Sequence, residues 1–228
     1  MKMMIRNKFI KLVILFLIFH PTFNYSQEND FGLWTSVTIE KKINYLVDIS
    51  LSQEFRFNNN IQHIDKFFTD AGINFRINKF INAGLYYRFI NEYSFKKGYI
   101  KYTRIYGDFT EKFKISRLTI SPRIRMQSND YQIANAEDNY NGIINRDKIS
   151  FKYNIKNCQI SPYISYEIFY IIYRFMPSYL SKTRFSFGGE YKLRKNHYIT
   201  LYYLIQQEYN KENPMKLFVA GIEYKYNF

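Results

Sequence analysis

The chain has 228 residues, a formal net charge of +14 and a mean hydropathy of −0.38, and one residue in five is aromatic. This length suits one large domain, and the few glycines (9) and prolines (5) exclude collagen-like and low-complexity chains. The single cysteine, Cys158, excludes an intramolecular disulfide and a CxxC metal site, and we interpret it as an inert residue at a strand end.

Residues 1–26 have the layout of a secretory signal peptide. The basic start MKMMIRNKFIK precedes the short apolar run LVILFLIF, and Pro21 ends this run. The run is too short to span a bilayer, so we expect cleavage after Ser26 and a mature domain over residues 27–228. No cysteine follows the apolar run directly, which argues against a lipoprotein anchor. An uncleaved N-terminal helix is the alternative.

From residue 31 onward, apolar and polar side chains alternate along the chain. In YLVDISLSQEFRF (45–57), Val47, Ile49 and Leu51 share one parity, while Asp48 and Ser50 share the other. Because successive side chains of a strand point to opposite faces, such a segment has one apolar and one polar face. Eleven segments follow this pattern: 31–40, 45–57, 67–77, 81–93, 99–113, 117–127, 148–155, 158–170, 183–193, 197–209 and 217–228.

These segments are long, and the links between them alternate in length. Most segments hold ten to thirteen residues, whereas strands of globular sheets usually hold about five or six. Short links alternate with the longer polar ones at 58–66, 94–98, 128–147, 171–182 and 210–216. Strands of about 9–11 residues, with short turns at one end and long loops at the other, are typical of membrane barrels. The sequence therefore predicts an all-β fold, an antiparallel transmembrane β-barrel of ten to twelve strands.

A secreted β-sandwich or a lipocalin-like barrel is the soluble alternative, and it would turn its apolar face inward. The mean hydropathy and the lack of an apolar 20-residue run after the signal exclude membrane-spanning helices. Aromatic residues at the segment ends suit the interfacial girdles of a membrane barrel better than a soluble fold. They are Tyr45, Phe57, Phe67, Tyr93, Tyr170, Tyr198 and Tyr226.

The strand number presents a conflict. Single-chain bacterial barrels have an even number of strands and both termini in the periplasm, yet eleven segments are present. Either residues 31–40 lie inside or against a ten-stranded barrel, or the 128–147 loop contains a further strand. The pattern leaves both alternatives open.

The last segment, LFVAGIEYKYNF, ends in an aromatic residue. Tyr224, Tyr226 and Phe228 share the lipid-facing parity. This resembles the C-terminal signal of bacterial outer-membrane proteins, which the barrel-assembly machinery reads. We therefore expect an assembly signal here and the assembly machinery as a partner.

Three stretches resemble a known family: DFGLWTSVTIEKKI, LSQEFRFNNN and FTDAGINFRINKFINAGLYYRF. They are similar to the uncharacterised bacterial family called domain of unknown function 2490, over residues 27–228 and most specifically between Asp30 and Phe89. The resemblance implies a β-barrel in the outer membrane of Gram-negative bacteria of the Bacteroidetes type. It implies no activity, so it assigns no functional residue.

The polar parity carries charged side chains of both signs, which a membrane barrel turns toward its lumen. The main candidates are Asp48, Glu54, Arg56, Arg76, Arg88, Glu92, Arg104, Arg123, Arg125, Glu167, Arg184 and Glu190. Ten to twelve strands lie between the barrels of about eight strands, which side chains fill, and the open barrels of about sixteen. We favour a structural or binding barrel whose lumen is filled by salt bridges. A small polar pore is the alternative, in which Arg123 and Arg125 could favour anions.

No motif indicates catalysis. His63 and Asp65 lie in one predicted loop, where they could act as a general base and its orienting group, and His197 lies beside a short turn. No GxSxG serine motif accompanies them, so we expect surface histidines and no enzyme. An outer-membrane enzyme is the less favoured alternative.

Metal, cofactor and nucleic-acid sites are not indicated either. Asp130, Glu137 and Asp138 share one polar loop but lack the EF-hand spacing, so we expect no metal and no cofactor. The basic residues are spread through the strands and form no patch of the kind that binds nucleic acid. Anionic lipid and lipopolysaccharide head groups are the partners that this charge suits.

Overall fold

The computed structural model describes residues 28–94, 97–128, 142–173 and 177–228, and every regular element in these ranges is a β-strand. The predicted signal peptide and the acidic residues Asp130, Glu137 and Asp138 lie outside the described residues. The strands are β1 (Glu28–Lys42), β2 (Val47–Asn58), β3 (His63–Arg76), β4 (Ile81–Ser94), β5 (Gly98–Glu111), β6 (Phe113–Ile115), β7 (Leu118–Ser128), β8 (Gly142–Tyr153), β9 (Ile160–Tyr173), β10 (Tyr179–Arg194), β11 (His197–Glu208) and β12 (Met215–Asn227).

The strands form one sheet that closes on itself. The order is β5-β4-β3-β2-β1-β12-β11-β10-β9-β8-β7-β6, and β5 also pairs with β7. β6 continues the register of β5 along β7, because Thr110 lies opposite Arg123 and Phe113 lies opposite Ile120. β5 and β6 are therefore one wall strand interrupted at Lys112. The described residues thus form a closed barrel of eleven wall strands, which confirms the predicted fold.

An odd number of strands closes because β1 and β12 pair in parallel. Glu28 lies opposite Met215, and Glu40 lies opposite Asn227. Residues 31–40 are therefore part of the wall, and the alternative that placed them inside or against a ten-stranded barrel is wrong. β7 pairs directly with β8, so no further wall strand separates them, and residues 142–147 of the predicted long loop belong to β8.

The connections define two ends of the barrel. The loop end carries connections 59–62, 95–97, 129–141, 174–178 and 209–214, and the turn end carries 43–46, 77–80, 116–117, 154–159 and 195–196. Several predicted long loops are shorter than expected because the strands extend further into them. Because β1 and β12 run in the same direction, the wall begins at the loop end with Glu28 and finishes at the turn end with Asn227.

Asparagine side chains build several of the turns at the turn end. The Asn44 side-chain oxygen accepts hydrogen bonds from the backbone N–H groups of Leu46 and Val47, at 2.8 Å each. Asn157 and Asn196 adopt positive φ angles of 55° and 72°, which asparagine tolerates better than most residues do. The local sequence thus reverses the chain within a few residues.

The barrel is apolar outside and polar inside. Outward side chains such as Leu51, Leu85 and Leu201 are exposed by 53%, 57% and 58%. Inward charged side chains such as Arg125 and Glu167 are buried. This contradicts the soluble alternative, which requires an apolar interior. The described residues contain no helix that is long and apolar enough to cross a membrane.

Candidate functional site

The candidate site is the lumen, and the alternation within each strand builds it. On β9, Ser165, Glu167 and Phe169 point inward and are buried, whereas Ile164 and Tyr166 point outward and are exposed by 50% and 46%. Each strand therefore contributes every second side chain to the interior.

Two arginine–carboxylate pairs in the lumen are bidentate. Arg88 donates to both oxygens of Asp70, at 2.6 and 2.7 Å, and Arg125 donates to both oxygens of Asp108, at 2.5 and 2.6 Å. In each pair the two residues lie directly opposite on neighbouring strands. Parallel bonds of this kind fix the guanidinium orientation as well as adding stability.

Glu167 is shared by three arginines. Its Oε1 lies 2.5 Å from Nη2 of Arg123 and 2.9 Å from Nη2 of Arg146, and its Oε2 lies 3.8 Å from Nη1 of Arg184. The Arg184 Nε also donates to Gln206, at 2.9 Å. One carboxylate therefore holds side chains from β7, β8 and β10 in the middle of the lumen.

Cations and aromatic rings alternate around the lumen in a closed ring, which we call the belt. In order, the belt contains Arg146, Phe169, Arg184, Trp34, Arg56, Phe68, Arg88, Tyr106 and Arg125. Each arginine carbon Cζ lies 3.8 to 5.2 Å from the centroid of the next ring in the belt. These distances are within cation–π range. Arg125 and Arg146 lie opposite each other on β7 and β8 and close the ring.

The two strands that contribute no belt residue support it from the side. Leu204 of β11 and Leu217 and Val219 of β12 pack with Trp34 in an apolar cluster. The belt thus has contacts on every side of the barrel, which limits the freedom of its side chains.

The belt lies between two cavities. The turn-side cavity has a volume of about 290 Å³ and the loop-side cavity about 280 Å³. Both are lined by the same four belt arginines, Arg56, Arg88, Arg146 and Arg184. These four arginines therefore lie at the boundary between the two cavities.

A family model described as Protein of unknown function (DUF2490) matches residues 31–216. The chain belongs to this family. No curated protein matches the sequence. Among solved structures, the chain is similar to the β domain of the Bordetella autotransporter BrkA, with 11% identity and a TM-score of 0.45 over 80% of this chain and 82% of that chain.

Most of the charged residues singled out in the sequence lie around the two cavities. Nine line one cavity or both: Glu54, Arg56, Arg88, Glu92, Arg104, Arg123, Arg125, Glu167 and Arg184. The other three form ion pairs closer to the turn end. Asp48 pairs with Arg76, and Glu190 pairs with Lys152, each at 2.6 Å.

Sequence reasoning missed two central cations and the belt aromatics. Arg146 and Lys182 fell in predicted loops, although each has the inward parity of the predicted segment that follows it, 148–155 or 183–193. Extending the alternation by one step would have found both. Phe68 and Phe169 have the inward parity too, but an aromatic ring on that face is hard to distinguish from a girdle residue.

The two histidines that the sequence offers as catalytic candidates pack against tyrosine rings. His63 begins β3, not a loop as predicted, and its ring stacks on Tyr93 with an interplanar angle of 4°. His197 shares a 2.7 Å hydrogen bond between Nδ1 and the Tyr224 hydroxyl. The described ranges contain no group of three or more His, Cys, Asp or Glu residues that could hold a metal ion, and Cys158 is exposed.

The terminal strand is held to the start of the barrel. The Phe228 backbone N–H donates to the Glu40 carbonyl oxygen at 2.7 Å, and the Phe228 ring packs edge-on against Tyr226 with centroids 4.4 Å apart. The Phe228 side chain is nevertheless 61% exposed. A ring in this position is accessible to lipid or to a partner protein.

Proposed function

We propose that this chain is an integral outer-membrane barrel with a closed lumen, which acts as a structural or binding barrel and not as a pore or an enzyme. The belt is the observation that carries this proposal. It combines five guanidinium groups and four aromatic rings in one layer across the barrel. The carboxylates of Asp70, Asp108 and Glu167 fix four of those guanidinium groups.

The outer surface supports a membrane location. Large apolar side chains are exposed on every long strand, and an apolar surface that surrounds a protein is expected to contact lipid. A closed barrel also leaves no unpaired strand edge, and unpaired edges are not tolerated in hydrocarbon. The signal-like residues 1–26 agree with export of the chain.

Cell fractionation tests the location. We expect the mature protein in the outer membrane, with a gel mobility that changes on heating because the closed hydrogen-bonded wall resists detergent. Recovery of the protein from the soluble periplasm would contradict the proposal.

The cavities favour a second candidate, a small pore. Only the belt layer divides them, so a rearrangement of its arginines would join them into a path of polar side chains. Single-channel recording separates the two candidates, since a filled lumen passes no steady current.

We also propose that Tyr224, Tyr226 and Phe228 form an assembly signal for the barrel-assembly machinery. The exposed Phe228 ring supports this assignment. Deletion of Phe228 should lower the amount of folded protein in the outer membrane, with little loss of stability in the molecules that do fold, because chain ends contribute little. Normal membrane levels of the deletion protein would show that the terminal ring only packs.

Lipopolysaccharide and other anionic lipids are the partners that we propose for the rims. Lys216, for example, lies on the outer face of β12 near the loop end, where its ammonium nitrogen lies 5.3 Å from the centroid of the Phe218 ring. Lysines on the outer face near the rim attract anionic lipid head groups by electrostatic interaction at short range.

A further inference from the structure

We propose that the loop-side cavity is a binding site for a small oxyanion with two or more negative charges, of the phosphate-ester or polycarboxylate class. The inference deepens the binding role proposed above and rests on it. Four groups of observations support it. They are the net charge of the lumen, a lysine without a carboxylate partner, the N–H groups of belt arginines that donate no hydrogen bond, and the size, lining and position of the cavity.

The lumen carries more positive than negative charge. Among the described residues that line the two cavities, eleven are Lys or Arg and six are Asp or Glu. Asp108, which pairs with Arg125, raises the carboxylates to seven and leaves four positive charges in excess. Charges held in a barrel that is surrounded by lipid interact more strongly than charges in water. The lumen therefore attracts anions.

The excess is concentrated in the loop-side cavity. Eight of the eleven cations line it, together with only two carboxylates, Glu92 and Glu208. Each of these carboxylates already pairs with one lysine, Glu92 with Lys66 and Glu208 with Lys211. Four of the other six cations, the belt arginines, pair with the turn-side carboxylates Glu54, Asp70 and Glu167. None of these carboxylates is therefore left to neutralise Lys182.

Lys182 is the clearest uncompensated charge. Its ammonium nitrogen lies 5.3 Å from the centroid of the Phe169 ring. Within the described ranges, no carboxylate lies within ion-pair distance of it. The cations Lys66, Arg184 and Lys211 line the same cavity. An ammonium group among other cations is stabilised when an anion binds between them.

The belt arginines at the floor of the cavity have N–H groups that donate no hydrogen bond within the described residues. Arg184 donates through Nε to Gln206, and its Nη1 lies 3.8 Å from Glu167, which is longer than a hydrogen bond. Arg56 donates through Nε to Glu54 at 2.6 Å. Guanidinium groups held in this way present their remaining N–H groups in a fixed fork, which suits phosphate and carboxylate oxygens.

The cavity has the size and lining of a small-molecule site. Its volume of about 280 Å³ has room for on the order of ten heavy atoms, given a volume of ~30 Å³ per water molecule. Phe68, Ile90 and Ile171 add apolar wall beside the cations. This combination fits an anion on a short carbon skeleton.

Among the described residues, the lining of the cavity extends to the loop end. Lys211, which belongs to connection 209–214, lines it, and its side chain is 55% exposed. An anion that arrives at the loop end therefore does not need to cross the belt to reach the site. If the loop end faces outward, as in other outer-membrane barrels, that anion arrives from outside the cell.

Titration calorimetry on the purified mature barrel in detergent tests the inference. The probes are inorganic pyrophosphate and citrate, with glucose as the neutral control, in about 0.1 M NaCl. We expect one or both anions to bind, glucose not to bind, and binding to weaken as NaCl is raised. Tighter binding of pyrophosphate identifies the phosphate class, and tighter binding of citrate identifies the polycarboxylate class.

Lysine substitutions locate the site. Lys182→Met should weaken anion binding about tenfold, the effect of losing one charge-assisted contact. Lys182→Arg should largely retain binding, and Lys216→Met, which removes the same charge from the outer face at the same end, should leave it unchanged. Heat-modified gel mobility checks that each variant folds, and Lys211→Met replaces Lys182→Met if that variant does not fold.

Two results would overturn the inference. One is a wild-type barrel that binds neither anion. The other is an equal loss of binding in the Lys182→Met and Lys216→Met variants, which would indicate general surface charge. Both are read on purified protein without any current measurement. A failure of the anion-binding inference can therefore be told apart from a failure of the closed-lumen proposal. Ion conduction by the wild-type barrel would contradict the closed-lumen proposal.

Discussion

Arg88 and Asp70 face each other across β3 and β4 and share two parallel hydrogen bonds, Nε to Oδ1 at 2.6 Å and Nη2 to Oδ2 at 2.7 Å. The Arg88 Cζ also lies 3.9 Å from the centroid of the Phe68 ring. Asp70 therefore fixes one arginine of the belt, and through it the position of an aromatic neighbour.

Breaking this pair should be costly, because the remaining charge stays in the lumen. We expect Asp70→Leu to destabilise the barrel by about 3–5 kcal/mol, and the double variant Asp70→Leu with Arg88→Leu to cost clearly less. Urea unfolding in detergent measures both. The Asp48–Arg76 pair is the matched control, since its side chains are more exposed at 24% and 33%, and Asp48→Leu should cost about 1 kcal/mol or less. A double variant as unstable as Asp70→Leu alone would contradict this account.

Neighbouring residues on β11 test the two faces of the wall. Leu201 is 58% exposed on the outside, whereas Thr200 lies opposite Glu223, which lines the turn-side cavity. Leu201→Arg should cost about 2–4 kcal/mol, because it places a charge in lipid. Thr200→Arg should be much milder, because Glu223 can pair with it. Ile49→Arg and Ser50→Arg make the same comparison on β2. An equal loss of stability at the outward and inward positions would show that the two faces are assigned wrongly.

The parallel pairing of β1 with β12 predicts that the wall begins and ends on opposite sides of the membrane. An epitope placed just before Glu28 should be reached by antibody on intact cells, if the loop end faces outward as in other outer-membrane barrels. An epitope in turn 154–159 marks the turn end without disturbing the terminal strand, and it should be reached only after permeabilisation. Detection of both epitopes on the same side would exclude the parallel closure.

The sequence predicts the fold well because one physical rule, the alternation of side chains along a strand, repeats from residue 31 to the last strand. This rule identifies the outer face at Ile49 and Leu201 and the inner charges at Arg88 and Glu167. It identifies strand ends poorly, since polar residues such as Arg146 suit a strand that faces a polar lumen as well as they suit a loop.

Neither the odd number of strands nor the belt could be predicted without the register in which the strands pair. Nothing in residues 31–40 distinguishes a strand that pairs in parallel with the last strand from one that lies against the wall. Likewise, Trp34 and Arg56 meet only because β1 and β2 pair in one particular register. The stacking of Arg184 on Trp34 further depends on the closure of the barrel, which joins residues that are far apart in the chain.

Ion conductance across planar lipid bilayers tests the closed lumen most directly. The purified wild-type barrel should insert without stepwise openings, because we propose that the belt closes the lumen between the two cavities. A variant with Arg56→Ser and Arg184→Ser, which shortens two side chains at the boundary between the cavities, should show discrete conducting steps if it retains heat-modified mobility. Steady stepwise conductance from the wild-type protein would contradict the account and establish a pore.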